Sequence, residues 1–260
     1  MKPRRLVLIA ALNISVLPAA LAQSQSPSSG AWQYLRGQFY GSRDINEVDE
    51  KLMSIQAPAN TPDPSATPIT VHFGDAAAGK VKQLRLIIDN NPSPLAATMN
   101  LQAGVPVDQL DMRVRIDRFT SVRAIAEMND GSLEMRSTWV NASGGCSAPP
   151  SAASGGVLGE IRLRAANNEK TLQMSIRHPN NSGFQIDPVT GDAIPPHYIS
   201  HITLSSGGKT VLDADTGISL SENPTLRIAS EQPLTGPLKL DATDSKDAHF
   251  SATWSGPGSQ

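Results

Sequence analysis

VRIDRFTSVRAIAEMNDGSLEMRSTWVNASGGC, residues 114–146, places two apolar runs on either side of Asn129-Asp130-Gly131. Those three residues accept the positive φ angles of a tight turn, so TSVRAIAEM and SLEMRSTWV are expected to pair as a β-hairpin. Just upstream, Met112, Val114 and Ile116 alternate with Arg113, Arg115 and Asp117. That period of two describes a strand with one buried face and leaves the arginines to the other. Leu84, Leu86 and Ile88 repeat the pattern around Arg85 and Ile87.

Working outward, SGGCSAPPSAASGG (residues 143–156) contains only small residues, Gly and Pro around one cysteine. Such a segment has little to bury and reads as a linker or exposed loop. Beyond it short strand signals resume at Ile161/Leu163, Leu172/Met174/Ile176, Ile202/Leu204, Leu226/Ile228, Leu238/Leu240 and Phe250/Ala252/Trp254. Turn residues separate them at Asn167-Asn168, Gly207-Gly208 and Thr235-Gly236-Pro237. This spacing is that of an all-β sandwich. The expected organisation is two β domains, residues 31–142 and 157–258, joined by the 143–156 segment. One helix is expected at Asp44–Ile55, where Asp44 has Glu47 three residues on. Pro58, Pro62, Pro64 and Pro68 then interrupt regular structure until about Ile69.

The first 22 residues join a basic start (Lys2, Arg4, Arg5) to an apolar run ending in Ala20-Leu21-Ala22. This is a secretory signal peptide with a small-residue cleavage site. Its removal would take three of the 22 basic residues and none of the 24 acidic ones, leaving an acidic exported chain. Such a chain lacks the electrostatic footprint for nucleic acid. No other apolar run approaches the roughly 20 residues that a membrane span needs. Residues 23–30, rich in Ser and Gln, read as a disordered leader.

Cys146 is the one cysteine, so no intramolecular disulfide is possible. Unpaired cysteines usually go into cores, but the flanks of this one offer no apolar packing, so an exposed thiol is expected. Gly144 and Gly145 remove side-chain bulk and permit unusual backbone angles. No His or Lys adjoins the thiol in sequence to lower its pKa.

His197 and His201 have H-x3-H spacing, but in a strand four residues span about 13 Å, too far for one ion. His178, ahead of Pro179, reads as a surface or turn histidine, and His72 and His249 give equally weak signals. Ser206-Gly207-Gly208-Lys209-Thr210 reads as a hairpin turn, because a phosphate loop would need Gly where Thr203 stands. Asp213 and Asp215 fit a plain turn better than a calcium site. No metal, cofactor, acid/base pair or nucleophile triad is read.

The segment LRLIIDNNPSPLAATMNL (84–101), with its Asn-Pro-x-Pro turn, and the 114–146 hairpin leading to Gly-Gly-Cys resemble the SoxY sulfur carrier family. Residues 170–228 carry His-Pro, Ile-Pro, Gly-Lys-x-Val and Ser-x-Asn-Pro landmarks and resemble SoxZ. The whole is similar to a fused SoxYZ-like carrier of the type associated with quinoprotein dehydrogenases. The resemblance implies two immunoglobulin-like sandwiches side by side in the periplasm, with no turnover of their own. It implies that Cys146 takes a small sulfur compound such as thiosulfate covalently, with Gly144 and Gly145 giving the arm its flexibility. Partners would be sulfur-oxidation enzymes, or a quinoprotein dehydrogenase and its cytochrome. No catalytic role passes to His178, which matches a structural or interface position. Here the chain continues past the arm, so the arm is anchored at both ends. The other functional reading is an accessory binding protein of a quinoprotein alcohol dehydrogenase, with Cys146 dispensable.

Overall fold

The computed structural model describes residues 30–102, 105–151, 156–234 and 236–255; the signal peptide, most of the leader and residues 152–155 of the linker lie outside these. Among the described residues one helix, α1 (Gly30–Tyr40), precedes fifteen strands. The first eight are β1 (Asn46–Glu47), β2 (Met53–Gln56), β3 (Thr67–Phe73), β4 (Val81–Ile88), β5 (Leu95–Leu101), β6 (Val107–Val114), β7 (Thr120–Met128) and β8 (Leu133–Val140). After the linker come β9 (Ile161–Ala166), β10 (Thr171–Ile176), β11 (Ile199–Ser206), β12 (Lys209–Thr216), β13 (Thr225–Ser230), β14 (Leu238–Asp244) and β15 (His249–Trp254).

The fold is all-β, as expected, with the strands sorted into two sheets. One has nine strands in the order β1-β8-β7-β4-β5-β12-β11-β14-β15, the other six in the order β2-β3-β6-β13-β10-β9. Each sheet passes from the first half of the chain to the second through a single antiparallel pair. In the larger sheet β5 pairs with β12, Leu101 opposite Leu212. In the smaller, β6 pairs with β13, Met112 opposite Leu226. The two sandwiches are therefore joined edge to edge, each half closing an edge that would otherwise stand open. Their inner faces share one apolar core drawn from both halves, including Leu84, Leu86, Leu110, Met174, Leu204 and Leu240.

The hairpin β7–β8 forms at the turn residues that specify it. Gly131 has φ +87°, and the Ser132 N–H donates to Asp130 Oδ1 at 2.9 Å. Strand β7 is buried along nearly its whole length rather than on alternate residues. The cause is α1, which lies on the outer face of the larger sheet and packs Trp32, Leu35 and Tyr40 against Ile87, Ile125, Leu133 and Met135. Arg123, on that face, is paired through Nε and Nη2 with buried Asp89. Its guanidinium carbon stands 4.5 Å from the Trp32 ring centroid, a cation–π contact that helps to fix the helix.

The helix expected at Asp44–Ile55 is absent; that stretch forms β1, a turn and β2. Asp49 accepts the N–H groups of Lys51 and Leu52 at 2.9 and 3.1 Å, an arrangement that bends the chain instead of opening a helix. The real helix begins at Gly30, where the leader was expected to end. Its signal was Trp32, Leu35 and Phe39 at i, i+3 and i+7, closed by Gly41 at φ +59°.

Candidate functional site

Past β8 the chain turns through Gly144, at φ +77°, into a segment laid along the seam between the two halves. From the first half, the Asp117 carbonyl accepts the Gly144 N–H at 2.8 Å and the Ile116 carbonyl accepts the Gly145 N–H at 2.9 Å. A Cβ on Gly145 would collide with the backbone of Pro64 and Ile116. In this arrangement Gly145 allows close approach rather than movement. From the second half, Ser182 Oγ donates to the Cys146 carbonyl, and Gln185 Nε2 donates to the Ala148 carbonyl at 2.9 Å. Glu222 accepts from both the N–H and the hydroxyl of Ser151.

Cys146 is 1% exposed, contrary to the exposed thiol expected from its flanks. Residues 116–117 and 182–185 tie down the segment's backbone on either side, so its own lack of apolar side chains did not decide its burial. Burial pushes the thiol up to about 12, with the Asp117 carboxylate adding to the effect and Arg115 opposing it. At neutral pH the buried thiol is therefore protonated.

Arg115 was expected on the open face of its strand and is instead 1% exposed. β6 ends at Val114, and the next residue passes beneath the loop 178–185. Its Nη1 donates to the Gly145 carbonyl at 3.2 Å and its Nη2 to the Asn180 carbonyl at 3.3 Å. Burial lowers its pKa, while the charges of Cys146, Glu222 and Asp63 act the other way.

Asn180 is fully buried at φ +46° and ties this region together. Its side chain donates to the Leu220 carbonyl at 3.0 Å and accepts the Ile199 N–H at 2.9 Å. Its own N–H donates to His178 Nδ1 at 3.0 Å.

His178 was expected at the surface but is buried, with His197 and Asp244 around it. Its Nε2 lies 3.3 Å from His197 Nε2 and 3.5 Å from Asp244 Oδ2. His197 Nε2 lies 2.7 Å from the same Oδ2. Burial and the neighbouring His197 push His178 down to about 4. Burial alone would raise Asp244, but hydrogen bonds from His197 and from the Ala248 and Lys246 N–H groups prevail and hold it at about 2. Sequence reading missed this cluster because its members lie 19 and 47 residues apart along the chain. His-Pro at 178–179 and Pro-Pro-His at 195–197 were its only local signals.

The H-x3-H pair does not converge. His201 lies on the open face of β11, between Asp215 (Nδ1 to Oδ1, 2.9 Å) and Asp213 (Nε2 to Oδ2, 3.1 Å). His72 and His249 are exposed and lie outside the cluster. The 206–210 segment is the β11–β12 hairpin turn, with Gly207 and Gly208 at positive φ. No helix among the described residues is long and apolar enough to cross a membrane.

Residues 36–146 match the family model of the sulfur oxidation protein SoxY, and residues 161–255 that of the sulphur oxidation protein SoxZ. No curated protein matches the chain. Among solved structures, the sulfur carrier protein SoxY from Chlorobium limicola f thiosulfatophilum aligns at 18% identity and TM-score 0.38, covering 44% of this chain and 94% of that one. A superoxide reductase (neelaredoxin) from Ignicoccus hospitalis aligns at 14% identity and TM-score 0.29, covering 34% of this chain and 78% of that one. Neither likeness bears on chemistry. The two family regions follow one another in a single polypeptide that ends its SoxY match on Cys146, and the chain is a fused SoxYZ-like protein.

Proposed function

We propose that this protein is a periplasmic sulfur carrier that holds a small sulfur compound on Cys146 and presents it to sulfur-oxidation enzymes, with the buried thiol as its resting state. The observation that carries this reading is the position of Cys146. It is the last residue of the SoxY match and the chain's one cysteine. It sits within residues 143–151, described without strand or helix, between the SoxY-like unit, 31–142, and the SoxZ-like unit, 157–258. Hydrogen bonds to the segment's backbone hold it down, and these can be exchanged for water when it lifts. Export rests on the signal peptide read in residues 1–22.

Joining the thiol to a thiosulfate-type anion forms an S–S bond, releases one proton and gives up two electrons. A partner oxidoreductase must accept those electrons, so the carrier needs no catalytic machinery of its own. With its thiol near 12, the resting state does not react indiscriminately. Attachment and transfer belong to a lifted state in which Gly144 and Gly145 serve as hinges. The depth of Cys146 also favours a second reading, an accessory protein of a quinoprotein dehydrogenase in which the cysteine is dispensable.

Intact mass of protein recovered from its native compartment separates the two. A reductant-labile mass increment on the wild type that is absent from Cys146→Ser, together with loss of function in that variant, is expected of the carrier. Full function of Cys146→Ser in the host would overturn it.

A further inference from the structure

His178, His197 and Asp244 bring three ligand atoms together in a largely buried cluster of the SoxZ-like half. Around a tetrahedral cation with bonds of roughly 2.0–2.1 Å, ligand atoms stand about 3.3–3.4 Å apart. The His178–His197 and His178–Asp244 separations are 3.3 and 3.5 Å; the His197–Asp244 separation, 2.7 Å, is a hydrogen bond that a cation would open. The His178 and Asp244 side chains are closed to solvent, while that of His197 is 15% exposed and leaves a way in. Two imidazoles and one carboxylate suit zinc, cobalt, nickel or copper rather than magnesium or calcium.

A neutral imidazole has one N–H and one lone pair. Because the Asn180 N–H donates to His178 Nδ1, the lone pair is on Nδ1 and the ring proton on Nε2. A cation at Nε2 takes the lone pair there, and the proton moves by exchange with water to Nδ1. His197, whose Nε2–H points at the Asp244 carboxylate, exchanges its proton to Nδ1 in the same way, so no net proton is released, but at His178 two N–H groups now face each other. Asn180 must turn away, and its carbonyl is the one that anchors Arg115, whose other arm holds Gly145.

We propose that His178, His197 and Asp244 form a binding site for a divalent transition-metal cation, and that its occupancy loosens the seam over Cys146 through Asn180 and Arg115. The second part rests on the docked-segment reading of the resting state. By linkage, a lifted segment raises cation affinity by the same factor that the cation raises lifting.

The test uses Co2+ as the probe. In the Cys146→Ser protein, which lacks any thiolate, one equivalent of Co2+ is expected to give visible d–d absorption of a nitrogen/oxygen site, reversed by EDTA. That absorption should be lost in His197→Ala, with His197→Gln as the second variant at this partly open position. No absorption, or absorption unchanged in both variants, overturns the site. In the protein with Cys146 present, saturating Co2+ should speed iodoacetamide alkylation of the thiol roughly tenfold, an ordinary coupling between sites. A cation bound by the thiol itself would slow alkylation. Binding without acceleration, or acceleration that survives in His197→Ala, overturns the coupling while leaving adduct formation on Cys146, and so the carrier reading, untouched.

Discussion

The seam over Cys146 and the open face of β11 and β12 both gather polar and ionisable groups, yet they shift them for opposite reasons. At the seam, Arg115, Asn180 and Cys146 are all 1% exposed or less, and loss of water dominates: the thiol rises to about 12 and the guanidinium pKa falls. On the open face the His201 side chain is 38% exposed, and its pKa is raised first by its hydrogen bond to Asp215. Where water is excluded, each polar group needs a partner and removing one is costly; where water competes, the same contacts contribute little.

The largest effect that separates the two regions is expected from Asn180→Ala. It strips partners from the buried Leu220 carbonyl and Ile199 N–H and forces alanine to adopt φ near +46°. A loss of about 3 kcal/mol is expected, read from the urea midpoint, and a loss below about 1 kcal/mol would mean that water replaces the side chain there. Gly145→Ala comes next, because its methyl group meets the Pro64 and Ile116 backbone, which cannot rotate aside. It should cost about 2 kcal/mol and expose the thiol to alkylation; unchanged stability with a slow thiol would contradict the packing described.

The smallest effect lies on the open face. The folded-state pKa of His201 is raised above its unfolded value. Its contribution is fully present below an unfolded pKa of about 6.5 and is lost as pH rises through the folded value. Screened by solvent, it should amount to a few tenths of a kcal/mol. Stability curves of wild type and His201→Ala should therefore differ more at pH 6 than at pH 9, and less in high salt. A difference that grows with pH would reverse the sign.

The hairpin at Asn129-Asp130-Gly131 was legible because its turn residues and flanking runs are local. The strands beyond residue 157 were legible for the same reason. Contacts between the halves were not. Cys146 looked exposed because its neighbours are small, but Ser182, 36 residues away, closes over its carbonyl. Arg115 followed the period of two yet lies beneath a loop that no local window contains. The helix was expected at Asp44 because its cap signal was visible. The actual helix, with Gly37 in its interior, is held by Trp32 over Arg123, a contact between residues far apart in the chain. The resemblance to SoxY and SoxZ drew on landmarks spread along both halves, which is why it singled out Cys146 as a candidate without revealing its burial.

On the carrier reading, the Cys146 segment lifts while both sandwiches stay folded. Iodoacetamide alkylation of Cys146, followed by mass across low urea concentrations, tests it most directly. Local lifting predicts a rate well above that allowed by global unfolding and almost independent of urea, since little surface is exposed. A rate that climbs with urea along the same slope as global unfolding would mean that the thiol never leaves the seam in the folded protein.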